Sequence, residues 1–264
     1  MDSAFPPLTS FQPISLEETN RIARLQERVD RKYLIQRDLF SALADELAKS
    51  YFVMEVDGKQ ILFYDTVYFD TDELLCYRSH LQGRRLRFKV RSRRYRDSGS
   101  CVFELKYKDA HGRTLKERID YPWQTHGTMD QEARAFVTST LQRRCNIDFS
   151  SELARALDVS YRRVTLVSPG AEHRITCDFD LSFGTLNGGE TRLGDDYLIL
   201  ETKGGFKLSP ADLLLRSHGQ RPISCSKYCI GLGSSDPRVK NNPFRPVLRR
   251  YFAPQEQTWA VATR

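Results

Sequence analysis

The segment RLRFKVRSRRY (Arg85–Tyr95) concentrates cations at a spacing that can do chemistry. Read with the two-residue period of a strand, Arg85, Arg87, Lys89, Arg91, Arg93 and Tyr95 share one face, with Leu86, Phe88 and Val90 on the other. Cations arranged this way repel one another and call for a partner of high negative charge density. Phosphate chemistry suits them. Guanidinium forks hold phosphate oxygens two at a time, and ammonium groups neutralise them as point charges. A single strand of this kind is also how a solvated sheet edge resists aggregation, so the neighbouring segments decide the matter.

The neighbours repeat the pattern. CVFELKYK (Cys101–Lys108) sets Glu104, Lys106 and Lys108 against Phe103, Leu105 and Tyr107. TLKERIDY (Thr114–Tyr121) sets Lys116, Arg118 and Asp120 against Leu115, Ile119 and Tyr121, with Glu117 the exception. HRITCDFDLSF (His173–Phe183) sets Arg174, Thr176, Asp178 and Asp180 against Ile175, Cys177, Phe179 and Leu181, and YLILETK (Tyr197–Lys203) ends on Glu201 and Lys203. A half-exposed sheet would give such strands. A closed barrel with a charged lumen and helices packed outside would give them too. Many cations with a few carboxylates among them favour the barrel, because a polyanion carrying a divalent metal needs both.

The elements that must position these residues follow from periodicity. Strands are expected over Arg28–Ile35, Gln60–Asp70 (after a turn at Asp57-Gly58), Val159–Val167 and the segments above. Helices are expected over Leu16–Gln26, Arg37–Lys49, Asp130–Arg144, Ser150–Ala156, Ser209–Ser217 and from Ser226 to Leu232. The expected architecture is α+β, an eight-stranded antiparallel tunnel with helices outside. The expected organisation is a flexible leader over residues 1–20, one domain over 21–233, and a basic Pro/Arg-rich tail over 234–264. A 264-residue chain is long enough for a substantial core. Its net charge of +7 points to an anionic partner without choosing among nucleic acid, membrane surface and small phosphates. Six scattered cysteines with no CxxC pair read as reduced thiols. With no apolar run near the roughly 18 residues of a spanning helix, the chain is expected in the cytoplasm, reaching the inner face of a membrane only through a separate protein partner.

Several motifs in order then carry a resemblance. YFDT (Tyr68–Thr71), HLQGRRLRFKVRSRRY (His80–Tyr95), FELK (Phe103–Lys106), KER (Lys116–Arg118), SYRR (Ser160–Arg163), RITCD (Arg174–Asp178), LETK (Leu200–Lys203) and SKY (Ser226–Tyr228) together resemble the VTC domain. This is the polyphosphate polymerase branch of the triphosphate tunnel superfamily. The resemblance implies a tunnel that holds ATP and a growing polyphosphate chain, with Mn²⁺ or Mg²⁺ as cofactor. It implies catalytic roles for Lys32, Arg91, Arg93, Lys106, Lys116, Arg163, Arg174 and Lys227, and a metal-holding role for Glu201. Arg87, Lys89, Arg118, Lys203 and Tyr95 complete the substrate-binding set. Arg162 would replace Arg163 after a one-residue register slip.

One departure bears on the reaction. Hydrolytic members of the superfamily open with E-x-E-x-K, and the aligned residues here are Arg28, Asp30 and Lys32. The loss of one carboxylate favours transfer over hydrolysis, although Glu104, Asp178, Asp180 and Glu201 remain as candidate metal ligands. The alternatives are a tripolyphosphate or nucleoside triphosphate hydrolase on the same fold, and a non-catalytic polyphosphate-binding module. Nucleic acid is the weakest partner, because Phe88 and Tyr107 fall on the apolar face, where they cannot stack on bases. His80 and His111 are expected in loops.

Overall fold

The protein is described by a computed structural model over residues 5, 8–22, 29–109, 112–170, 172–185, 189–236 and 239–254. Arg28, His111 and Trp259 lie outside the described residues. In chain order the elements begin with β1 (Pro13–Ser15), α1 (Leu16–Ile22), β2 (Val29–Gln36), α2 (Arg37–Ala48), β3 (Phe52–Glu55), β4 (Leu62–Asp70) and α3 (Leu75–Leu81). Next come β5 (Phe88–Tyr95), β6 (Ser100–Lys108), β7 (Thr114–Asp120), α4 (Gln131–Cys145), β8 (Ala154–Val167), β9 (Arg174–Gly184) and β10 (Thr191–Leu193). The last elements among the described residues are β11 (Tyr197–Gly204), α5 (Pro210–Ser217), α6 (Lys227–Ser235), α7 (Arg245–Tyr251) and β12 (Phe252–Pro254).

All the described strands join one sheet. Its main path runs β2–β11–β9–β8–β4–β5–β6–β7, antiparallel at every step. β10 and β12 extend it beyond β9, while β3 pairs with the end of β8 and carries β1 in parallel. The fold is therefore α+β, as expected. Closure of the barrel is not borne out. Among the described residues no ladder joins β2 to β7, so hydrogen bonds leave the sheet open. The free edge of β2 is partly occupied, since the Lys32 carbonyl accepts from the Ile223 N–H at 2.7 Å. The chain leading into α6 thus lies along β2 and takes hydrogen bonding that a closing strand would need.

The convex face carries the apolar halves of the alternating strands. Tyr33, Ile35, Ile175, Cys177, Leu198 and Leu200 pack with Phe40, Leu43 and Leu47 of α2 and Leu215 of α5. Val90, Phe103, Leu105 and Tyr107 join a second cluster with Ala133, Val137 and Leu141 of α4. These helices have local reasons to form. Asp130 caps α4 by accepting from the Ala133 N–H, and Ser209 and Asp212 form a capping box ahead of Pro210 in α5. Glu117, the odd polar residue on its face, is accounted for by Arg143 and Arg144 of α4, which hold it at 2.8 and 2.6 Å.

Four local expectations change. Residues 154–156 form strand rather than helix, since Ala154 and Arg155 pair with the end of β4 and lengthen β8. The helix α3 was not expected. β5 begins at Phe88, which leaves Arg85 and Arg87 ahead of it. Finally, Asp180 takes a positive φ of 49° opposite an irregularity at Ser160/Arg162, which reverses the alternation on β9.

Candidate active site

The concave face gathers the charged halves of the same strands. On one wall, register places Lys89 opposite Lys106, Arg91 opposite Glu104, and Lys106 opposite Lys116. Glu104 is buried and bridges two cations, accepting from Arg91 Nε at 2.7 Å and Lys116 Nζ at 2.8 Å. Burial alone would raise its carboxyl pKa, but Arg91, Arg93 and Lys116 outweigh that and hold it well below the usual range.

The opposite wall repeats the arrangement. Glu201 lies between Lys32 at 3.2 Å and Lys203 at 2.9 Å, and Lys203 Nζ also donates to Thr176 Oγ1 at 3.2 Å. Asp178 is fully buried, gripped by the Arg163 fork and by Lys227 Nζ from the first turn of α6. Arg174 stands on β9 opposite Lys203. Lys106 Nζ reaches Asp30 of β2 at 3.9 Å, so side chains span the gap that backbone pairing leaves open.

Between the walls, β4 and β8 supply hydroxyls and rings. Alternation along β4 turns Tyr64, Thr66 and Tyr68 inward, opposite Tyr95, Arg93 and Arg91. Arg93 is buried, donates to Thr66 Oγ1 at 3.0 Å, and lies 5.6 and 5.9 Å from the Tyr64 and Tyr161 ring centres. Arg163 lies 5.0 and 5.2 Å from the same two rings, which stack at 5.2 Å. Lys89 Nζ donates to Ser226 Oγ at 2.8 Å, and burial pulls its ammonium pKa down. Rings and hydroxyls hold these cations out of water without an opposing charge on the same bond, which is a condition for binding an anion strongly.

The concave face thus brings together Lys32, Lys89, Arg91, Arg93, Lys106, Lys116, Arg163, Arg174, Glu201, Lys203 and Lys227. Tyr95 reaches it through an edge contact with Tyr64, 5.2 Å between centres. Arg118 shares the face but is exposed on β7. Arg87 donates to the Arg84 carbonyl, ahead of β5. Asp180 leaves the group altogether, turning outward to Arg37 and Arg162. That also settles the choice between the adjacent arginines: Arg163, not Arg162, faces the cleft. His80 is on α3 rather than in a loop. Burial lowers its imidazole to about 3, aided by Lys89, Arg87, Lys106 and Lys32, so it stays neutral beside them. Tyr64, Thr66, Tyr68, Tyr161 and Ser226 were missed as site residues. The alternation in LFYDTVYFD was the available signal for the first three.

A family model for the VTC domain matches residues 27–235, and every cleft residue named above falls within it. The chain belongs to the VTC domain family. No curated protein matches it. Among solved structures, partial likeness extends to a candidate adenylate cyclase from Bacillus halodurans, with 14% identity over 75% of this chain and 93% of that one, TM-score 0.46. A Pyrococcus horikoshii OT3 protein shares 12% identity over 76% and 96% of the two chains, TM-score 0.42. A candidate adenylyl cyclase from Hippeastrum, described as having a dominant triphosphatase activity, shares 13% over 79% and 96%, TM-score 0.42.

VTC membership makes this a triphosphate tunnel protein and implies a divalent cation. The acids here fit only one way of holding it. Among the described residues no three His, Cys, Asp or Glu side chains converge as a metal cage. Glu201 does face the cleft as an ionised carboxylate. Burial would raise its pKa, but Lys203, Lys32 and Lys227 outweigh that and keep it well below normal. One carboxylate plus phosphate oxygens is an ordinary ligand set for Mg²⁺-like ions. Among the described residues, no helix of the VTC chain is long and apolar enough to cross a membrane.

Proposed function

We propose that this VTC domain protein is a polyphosphate polymerase that transfers the γ-phosphate of ATP to the end of an inorganic polyphosphate chain. The observation that carries the reading is the charge ledger of the concave face. Glu104, Asp178 and Glu201 are each held by two cations, while Lys89 and Arg93 point the same way with hydroxyls as their hydrogen-bond partners. Such a face stabilises a run of phosphates and offers little to activate water.

Arg91, Arg93, Lys106, Lys116, Arg163, Arg174, Lys32 and Lys227 would hold the triphosphate and the acceptor end in line. Lys89, Lys203, Tyr95 and, further out, Arg118 and Arg87 would guide the chain. A terminal phosphate oxygen of the acceptor attacks Pγ, the bond from Pγ to the β–γ bridging oxygen breaks, and ADP leaves with that oxygen. The nucleophile is already anionic, so no general base is needed, and catalysis rests on alignment and charge neutralisation. Glu201 would hold Mn²⁺ or Mg²⁺, which when bound withdraws charge from the phosphoryl group being transferred.

The test is incubation of the purified chain with ATP and Mn²⁺ or Mg²⁺, with and without a short polyphosphate primer, following ADP, free phosphate and chain length. Chain growth matched by ADP release, lost in Arg91→Ala and Glu201→Ala, is expected. Free phosphate without chains would reassign the protein as a triphosphatase. Binding without either product would leave a polyphosphate-binding module.

A further inference from the structure

The first turn of α6 enters the cleft as Ser226, Lys227 and Tyr228, and each of the three engages a different part of the sheet. Ser226 Oγ accepts from Lys89 on β5 at 2.8 Å. Lys227 Nζ donates to Asp178 on β9. The Tyr228 hydroxyl donates to Asp70, the last residue of β4.

Asp70 is built as an anchor. It is 1% exposed, and its carboxylate accepts from the Thr71 and Cys76 N–H groups, both at 2.8 Å, and from the Tyr77 N–H at 3.0 Å. Cys76 and Tyr77 lie in the first turn of α3, where amides lack partners within the helix. Those three bonds fix the carboxylate whether or not anything occupies the cleft. Tyr228 is buried and seated between Tyr68 and Tyr77, with ring centres 5.0 and 6.4 Å away. Further along α6, a Cβ at Gly231 would come within 2.6 Å of Phe183 and 2.7 Å of Leu157, so the helix already lies as close to the wall as a backbone can.

We infer that Asp70 and Tyr228 are positioning residues: through the first turn of α6 they set where the ammonium groups of Lys89 and Lys227 stand toward a bound phosphate chain. The inference rests on the reading of the cleft as a polyphosphate site. Hydrogen bonds do not close the sheet, so this turn is a brace joining β4, β5 and β9 from inside. Neither Asp70 nor Tyr228 touches the cations of the cleft directly; both act through Ser226 and Lys227.

The test is the salt dependence of inorganic polyphosphate binding by Tyr228→Phe. Each cation engaged with a polyanion adds to the slope of log affinity against log salt. Loss of positional control over Lys89 and Lys227 is expected to shrink that slope by about one to two and to weaken low-salt binding by roughly tenfold. Ser226→Ala, which cuts only the Lys89 link, is expected to shrink it by about one. Tyr77→Phe removes a neighbouring hydroxyl that is bonded to the Lys240 carbonyl and is expected to leave the slope unchanged. A merely structural role would lower the melting temperature of Tyr228→Phe and leave its slope intact. Slopes equal to the unaltered chain in both folded variants would overturn the brace while sparing the proposed function. Failure of the unaltered chain to bind polyphosphate would overturn both.

Discussion

Asp178 and Asp180 lie two residues apart on β9, and each is held by two cations, yet they belong to regions of different kind. Asp178 faces the cleft between Arg163 and Lys227; Asp180 faces outward between Arg37 and Arg162. The outer group is capped by apolar rings. Both its guanidinium groups lie about 5 Å from the Phe179 ring, at 5.1 and 5.2 Å, and Phe5 stacks on that ring at 4.3 Å. Asp195 and Asp196 add negative charge around Arg37. The inner group has the opposite surroundings, with Arg93 over the same two tyrosine rings as Arg163 and Lys203 nearby on the adjacent strand. A carboxylate between two cations is therefore common to scaffold and site. What separates them is whether the neighbourhood balances the charge or leaves a surplus pointing at open space.

The sharpest way to break this comparison is to truncate the adjacent arginines. Arg163→Ala is expected to lower kcat/KM for chain growth by about 10²–10³, the scale for losing a preorganised charge on the reacting groups. Arg162→Ala is expected to stay within about twofold, the size of a change remote from the chemistry. Equal losses in the two would mean that the direction of the side chain does not decide function.

Stability should separate the acids instead. Asp178→Ala strands Arg163 and Lys227 in a buried position and is expected to cost about 3–5 kcal/mol in chemical denaturation. Asp180→Ala removes a partly exposed carboxylate, and buried Arg37 keeps the negative charge of Asp195 and Asp196 beside it, so the cost is expected to be smaller, about 1–2 kcal/mol. Polyphosphate should restore more of the melting temperature of Asp178→Ala than of Asp180→Ala, because only the inner cations face it. Burial raises the Asp178 pKa, but Arg163 and Lys227 outweigh it and hold the folded value below normal. Its contribution is accordingly complete above the unfolded value of about 4 and is lost as pH falls below it.

How far these regions can be told apart without coordinates depends on how local the deciding interaction is. Alternation placed Arg91, Glu104, Lys106, Lys116 and Asp178 on the face they occupy, because side-chain parity on a strand is a local property. The resemblance then added Lys32 and Glu201, which the structure places on the cleft side. Asp180 escaped because one residue at positive φ reverses parity, and aspartate gives no warning that it will do so. α3 escaped because Asp70, several residues upstream, holds its first amides, while the residue at its cap is Leu74 at φ 57°. The open sheet could not be read at all. The β2 edge is met by Ile223, whose N–H reaches the Lys32 carbonyl across 191 residues of sequence, a contact that no local pattern announces.

A smaller effect, with a clear sign, comes from Lys203. Burial draws its ammonium pKa down to about 8, against the partial support of Glu201. Arg163 pushes it the same way, while Asp30 opposes. Below pH 8 the group is charged and adds to phosphate binding, so affinity should fall by a few-fold as pH rises through 8. Folding stability should move the other way. The unfolded lysine keeps its proton up to about pH 10.4, so the unfolded state binds more protons from pH 8 upward and stability rises with pH across that window. Lys203→Met should flatten both curves. A fall in affinity that survives the substitution would assign the titration to another group.

The smallest expected effect tests the edge of the surplus. Lys116 and Arg118 both lie exposed on the cleft side of β7, but Lys116 is tied to buried Glu104, which fixes it against the wall. An exposed cation not fixed in this way acts on a phosphate chain through water and is screened within about 8 Å at physiological salt. Arg118→Ala is expected to change KM by about twofold at low salt and not at all at high salt. Lys116→Ala frees one oxygen of Glu104 and lowers the local charge by one, so its effect should be larger and should persist in salt. If Arg118→Ala matched Lys116→Ala under both conditions, β7 would have to close toward β2 around the bound chain, bringing Arg118 out of solvent and onto phosphate.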